Sequence, residues 1–143
     1  MKYLVTGAAG FIGAKTAELL MRDGHEVVGL DNMNDYYDVR LKEYRLGLLK
    51  KNPKFTFAHV DIENKKDLHS VFKANRFEGI LNLAARAGVR YSMENPTIYM
   101  TTNAIGTINI MDEMREHGVN KMVLASTSSL YAGQAMPFKE DLA

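Results

Sequence analysis

The sequence predicts an α/β fold, a doubly wound parallel sheet of about five strands in the order 3-2-1-4-5. Three observations lead there. Short β-rich runs alternate with helical stretches along the whole chain. The loops between them are short, punctuated by Gly and Pro, without repeats or low-complexity tracts. A glycine-rich turn directly follows the first run and opens the first helix. Strands that alternate with helices on short loops form a parallel sheet covered on both faces. The right-handed crossover rule makes the doubly wound arrangement its natural form.

Residues 2–6 are a β-rich run ended by Gly7. Residues 11–22 have helical periodicity, with Ile12, Thr16, Leu19 and Leu20 on one face and Gly24 as the stop. The next strand covers 25–30. Residues 35–51 begin polar, then turn helical around Leu41, Tyr44, Leu48 and Leu49, and Pro53 closes the segment. Residues 54–60 alternate as a strand does, and 64–74 form a helix with Leu68, Val71 and Phe72 inward. A buried strand covers 79–84. Asn95 as a capping residue and Pro96 at the first helical position start a helix that runs to His117, and Gly118 ends it. Residues 121–126 are the last clear strand.

With 143 residues, the chain is expected to be one domain, 1–143, able to bury a core unaided. Hydrophobic residues at 46% and charged residues at 24% exclude intrinsic disorder. Lys+Arg at 18 against Asp+Glu at 17 leaves a net charge of +1, so neither nucleic acid nor an anionic membrane is an expected partner. The absence of Cys excludes disulfides, thiolate metal sites and a Cys nucleophile, and it fits a reducing, cytoplasmic location. Residues 3–14 are apolar but broken by three glycines, unlike a leader peptide. The uncharged run 97–111 is shorter than the roughly 20 residues a membrane span needs. His25, His59, His69 and His117 show neither an HExxH pattern nor short pairing, so no metal site is expected. Neither GxxxxGK[ST] nor GxSxG occurs, which removes P-loop and serine-hydrolase chemistry.

The most informative motif is Thr6-Gly7-Ala8-Ala9-Gly10-Phe11-Ile12-Gly13, with GxxGxxG spacing. Gly7 suits a tight turn out of the strand, Gly10 lets backbone approach a pyrophosphate, and Gly13 lets the helix pack closely. N–H groups and the helix dipole at the helix start, around Phe11 and Ile12, then favour phosphates. Asp31 ends the second strand, eighteen residues beyond Gly13. An acid at about this distance accepts hydrogen bonds from a ribose and repels a 2′-phosphate, which favours NAD over NADP. No basic residue adjoins it in sequence, since Asn32, Met33 and Asn34 follow.

With these residues in place, the chain resembles the extended short-chain dehydrogenase/reductase superfamily, whose cofactor domain is a Rossmann fold. Asp61-Ile62 resembles the pair that meets the adenine, and Asn82-Leu83-Ala84-Ala85 the small-residue stretch under the cofactor. Asn103, within Asn103-Ala104-Ile105-Gly106-Thr107, resembles the family's helix Asn. Ala125-Ser126-Thr127-Ser128-Ser129-Leu130-Tyr131 resembles the Ser/Thr cluster that ends the fifth strand. The stretches 31–38 (DNMNDYYD) and 84–92 (AARAGVRYS) resemble the UDP-glucuronate 4-epimerases within that superfamily.

That resemblance implies a bound NAD and a nucleotide-sugar substrate. A Tyr base removes the proton of the sugar 4-hydroxyl while hydride passes to NAD, the 4-keto sugar rotates, and hydride returns to the other face. Thr127 takes the role of the hydroxyl that positions the 4-oxygen, while Ser128 and Ser129 meet the sugar or its carboxylate. The same hydroxyls would alternatively cap the strand end. Arg86 and Arg90 follow the fourth strand and either face a phosphate or carboxylate or are solvated surface groups. Relatives that dehydrate the sugar carry an Asp-Glu pair directly after this Thr, and decarboxylating relatives a nearby Glu. Ser128 and Ser129 stand there instead, which favours epimerisation over a dehydratase or decarboxylase.

One departure is large. Four residues beyond the tyrosines stand Gly7, Arg40, Leu41, Leu48, Asn95, Asn103 and Ala135, so the family's Tyr-x-x-x-Lys pair is missing. The chain therefore reads as the front part of a longer enzyme, without its substrate domain and without turnover of its own. A non-catalytic NAD-binding module is the competing reading. In the helix 96–117, Ile98, Met100, Ala104, Ile105, Ile108, Ile110 and Met111 are spread around the axis, and self-association through it is expected.

Overall fold

Leu4 and Val5 lie side by side in the first strand and face opposite ways, as strand geometry requires. Each seeds a separate core. The computed structural model describes residues 1–141. Its strands are β1 (Lys2–Thr6), β2 (Glu26–Asp31), β3 (Phe55–His59), β4 (Gly79–Asn82) and β5 (Met122–Leu124). They form one parallel sheet in the order β3-β2-β1-β4-β5, as the sequence predicts. On the Leu4 face, Val28, Leu30 and Ile80 pack against Leu68 and Phe72 of α3 (Lys65–Lys73) and Ile110 and Met114 of α6 (Gly106–Glu116). On the Val5 face, Val27 and Phe55 pack against Ala17 and Met21 of α1 (Phe11–Arg22) and Leu46 and Leu49 of α2 (Val39–Leu49). Complete burial of a side chain such as Phe72 or Leu68 contributes about 1.5–3 kcal/mol.

Local chemistry explains the boundaries. The Asn64 side chain accepts from the Asp67 backbone N–H at 3.2 Å and donates to the Asp67 carboxylate at 2.7 Å, a reciprocal cap for α3. Asp38 caps α2 by accepting from the Arg40 N–H at 3.0 Å. Pro96 does occupy the first turn of its helix, but Asn95 makes no side-chain cap.

Several expectations need correction. The buried stripe of α1 is Gly13, Ala17 and Met21, and Ile12 is 65% exposed. The start of the helix lies so close to the β1 turn that a Cβ on Gly13 would meet the Gly7 carbonyl oxygen. In α2 the inward stripe is Lys42, Leu46 and Leu49, while Leu41, Tyr44 and Leu48 are exposed. Apolar spacing misleads there because the first inward position is a cation. The expected strands 79–84 and 121–126 end early, at Asn82 and Leu124. A short helix, α4 (Val89–Glu94), stands where no element is predicted. The single helix 96–117 is instead α5 (Pro96–Tyr99), a π-helical turn over Met100–Ile105, and then α6. Threonines account for part of this. The Thr101 hydroxyl donates to the Ile98 carbonyl at 3.3 Å and Thr107 to the Asn103 carbonyl at 2.7 Å, in competition with the helical ladder.

Candidate functional site

The carboxyl ends of all five strands lie along one edge, where Thr6 pairs with Leu30 on one side and Asn82 on the other. Strand order reverses at β1, and a cleft opens at that switch point. Gly7 makes the turn with φ of +67°, a conformation other residues rarely adopt. A Cβ on Gly13 would drive into the Gly7 carbonyl oxygen. Gly7 and Gly10 line the cleft. No side chain caps the start of α1, so its first N–H groups and positive dipole end face the turn, with the Phe11 and Ile12 side chains turned out to solvent.

Asp31 is buried at 6% exposure, and its carboxylate has three partners. It accepts from the Ala9 N–H at 3.1 Å and from the Met33 N–H at 2.9 Å, and Lys42 Nζ lies 3.4 Å away. The Lys42 side chain, 5% exposed, also donates to Asn34 at 3.3 Å. A basic residue therefore does adjoin Asp31, brought by α2 and not by the neighbouring sequence. The spacing of Lys42, Leu46 and Leu49 on one helical face is the signal that would have found it. Beyond Asp31, Asn32 donates to Asp61 at 2.7 Å, and Asp61 accepts from the Glu63 N–H at 2.9 Å. Asn32, Asp61 and Ile62 all line the cleft.

The floor is held by a residue that sequence reasoning passed over. The Thr6 hydroxyl donates to Asn82 at 2.6 Å and accepts from the Leu83 and Ala84 N–H groups at 3.0 Å each. That satisfies all it offers. Asn82 in turn donates to Thr107 at 3.1 Å, tying the β4 end to α6. Leu83, Ala84, Ala85 and Arg86 then run along the cleft. Asn103 is not part of the lining. Its amide clasps the Arg86 backbone at both ends, accepting at 2.7 Å and donating at 3.0 Å. Tyr36 donates to the Ala87 carbonyl at 2.6 Å, and Tyr99 to the Gly88 carbonyl at 2.8 Å. Desolvation, and then the neighbouring Tyr36, push the Tyr99 phenol above its usual value, which keeps it a donor. The Arg86 guanidinium stands 5.8 Å from the Tyr36 ring centroid, and its Nε is buried without a hydrogen-bond partner among the described residues. An orphaned cationic donor at the cleft wall suits an anionic ligand.

The remaining predicted residues lie apart from this lining. Arg90 sits exposed on α4. The Ala125 N–H donates to the Asn82 carbonyl at 3.1 Å, extending the β4–β5 contact, and Ser126 follows, exposed. Thr127 caps a 3₁₀ turn over Ser128–Tyr131, accepting from the Ser129 N–H at 3.1 Å and donating to the Ser129 hydroxyl at 3.1 Å. The hydroxyl cluster thus holds its own turn, and Thr127, Ser128 and Ser129 are exposed.

Comparison with known proteins agrees with this geometry. Residues 4–142 match the family model described as GDP-mannose 4,6 dehydratase. The chain belongs to that family. Within it, a UDP-glucuronate 4-epimerase of Thermodesulfobacterium geofontis is 52% identical over 98% of this chain and 43% of its own length. Among solved structures, the family fold is matched by a UDP-glucuronic acid 4-epimerase from Bacillus cereus in complex with UDP-glucuronic acid and NAD. Its TM-score is 0.88 at 33% identity, over 100% of this chain and 45% of that one. A UDP-glucose 4-epimerase from Bifidobacterium longum in complex with NAD+ and UDP superposes with a TM-score of 0.85 at 26% identity, over 99% of this chain and 42% of that one. The chain thus spans less than half the length of these relatives.

Proposed function

We propose that residues 1–143 are the NAD-binding portion of a UDP-sugar 4-epimerase acting on UDP-glucuronate and UDP-galacturonate. The observation that carries this is the Asp31 carboxylate, fixed beside the uncapped start of α1 at the sheet's switch point. The residues fit NAD. Gly7, Gly10, Asp31, Asp61 and Ile62 line one cleft, and this reading gives the diphosphate to the glycine turn, the ribose to Asp31 and the adenine to Asp61 and Ile62. Arg86 Nε offers an unused donor to a phosphate. NAD, when bound, supplies reversible oxidation of the sugar carbinol carbon. Thr127 orients the 4-oxygen, and Ser128 and Ser129 meet the sugar. The relatives' names support the 4-epimerase reading, and the lack of a carboxylate directly after Thr127 favours it over dehydration.

This chain lacks a Tyr-x-x-x-Lys pair and is expected to bind NAD without turnover. Met100 of the π-helical turn and Ile108 and Met111 of α6 are exposed apolar residues, and we assign to them self-association between copies. Among the described residues, no helix is long and apolar enough to cross a membrane. Calorimetry tests the central reading. One NAD per chain is expected, bound at least about tenfold more tightly than NADP, as the loss of one charge-assisted contact implies. A folded, nucleotide-free sample that evolves no heat with NAD would overturn it.

A further inference from the structure

The three groups that sequence spacing kept apart, His69, Glu113 and His117, meet in the folded chain. Glu113 lies on the inner face of α6 with its side chain only 3% exposed. His117 is the residue that closes the same helix, one turn further on. His69 comes from α3, which packs alongside. Glu113 Oε2 is 3.0 Å from His69 Nδ1 and 3.5 Å from His117 Nδ1, and the three donor atoms all lie within 4.8 Å of one another. Glu116 Oε1, on an exposed side chain, is 3.8 Å from His69 Nδ1.

We propose that His69, Glu113 and His117 bind a divalent transition-metal ion of the zinc class, with Glu116 or water completing the shell. Three features carry this. A tetrahedral ion with bonds of about 2.0–2.1 Å sets its ligand atoms about 3.3 Å apart, and the separations to Glu113 Oε2 bracket that value. A carboxylate so deeply buried needs a cationic partner, and among the described residues its ion-pair neighbours are the two imidazoles alone. The site also sits at the C-terminal end of α6, the negative end of the helix dipole, which favours a cation. Two imidazoles and a carboxylate match the preferences of zinc, copper and nickel and not those of calcium or magnesium. His117 Nδ1 also lies 3.0 Å from the Glu113 backbone oxygen, a bond that the ion displaces. His69, at 41% side-chain exposure, leaves the site open to an ion from solvent.

The site lies at the far end of α6 from Gly106, about 16 Å along the axis, and so away from the cofactor cleft. Its effect is to staple α3 to α6, and it does not depend on the NAD reading. The test is titration of the whole chain, stripped with chelator, with Zn2+ by calorimetry and with Co2+ by visible absorption. One Zn2+ per chain is expected, a raised thermal midpoint, and Co2+ bands of a four- or five-coordinate site. Affinity falls by about tenfold or more in His69→Gln and in His117→Gln and is unchanged in His25→Gln. Circular dichroism confirms that each variant is folded. If His117→Gln does not fold, the exposed His69→Gln and the cobalt spectrum of the unaltered chain decide. Absence of Zn2+ binding and of cobalt bands in the unaltered chain, or undiminished binding in folded His69→Gln, overturns the proposal.

Discussion

The two halves of the sheet's carboxyl edge differ in how completely the chain holds its own polar groups. On the β1–β2–β3 side, Asp31, Asn32, Asp61 and Thr6 have their partners within the fold, and the buried ones cannot turn away. On the β5 side, Thr127 and Ser129 satisfy each other across an exposed 3₁₀ turn, and Val123 and Leu124 of the edge strand face solvent. A dinucleotide can therefore be met by a surface already arranged, which lowers the ordering cost of binding. The exposed hydroxyls of Thr127, Ser128 and Ser129 have no such frame among the described residues. Preorganisation in this molecule is a property of half of that edge.

The largest expected break in that contrast comes from Gly13→Val. Its side chain would collide with the Gly7 carbonyl, so the arranged half should collapse. Loss of about 3 kcal/mol in stability by denaturant unfolding is expected, together with loss of NAD binding. Asp31→Asn comes next. NAD affinity should fall about 10–100-fold by calorimetry, from loss of a hydrogen bond to a charged group worth about 1.5–3 kcal/mol. Thr127→Val, on the exposed side, should change the same affinity less than about twofold, because its hydroxyl bonds only within its own turn. An equal effect of the two would erase the distinction between the halves.

The smallest effect concerns the β5 edge itself. Lys121 lies 2.8 Å from Glu78 and, mainly through that hydrogen bond, holds the carboxyl below its usual value. A lowered folded value contributes stability above the unfolded pKa, and that contribution is lost as pH falls through the folded one. Lys121→Ala should therefore destabilise slightly at pH 7. The gap from the parent chain should close as pH drops below about 4. Thermal midpoints across pH 3–7 measure it, and a gap that widens on acidification would reverse the assignment.

Much of this molecule was legible before folding. The strands, the Gly7 turn and the place of Asp31 follow from local signals, namely β-rich runs, glycine spacing and a strand-ending acid. What escaped was set by contacts between elements. Lys42 reads as one more surface cation until α2 lays it against Asp31. Asn103 stands in a stretch that resembles the family's helix Asn, and only the folded chain shows its amide bonded to the Arg86 backbone. His69 and His117 are separated in the chain by β4, α4, α5, the π-helical turn and α6, and the packing of α3 on α6 makes them neighbours. The stripe of α1 departs from its apolar spacing because the close approach at its start selects Gly13 and Ala17, which hydrophobic periodicity undervalues.

The widened turn at Met100–Ile105 also bears on how this chain tolerates length changes. In a regular helix, one residue more or less rotates everything downstream by about 100°. Here a surplus of backbone is taken up within a single coil, and Ile110 and Met114 still meet the sheet. The discrepancy is absorbed at the point where Asn103 must lean out to reach Arg86. What looks like an irregular rod is a local expansion joint, keeping the interior in step while a surface amide is displaced to where it is needed.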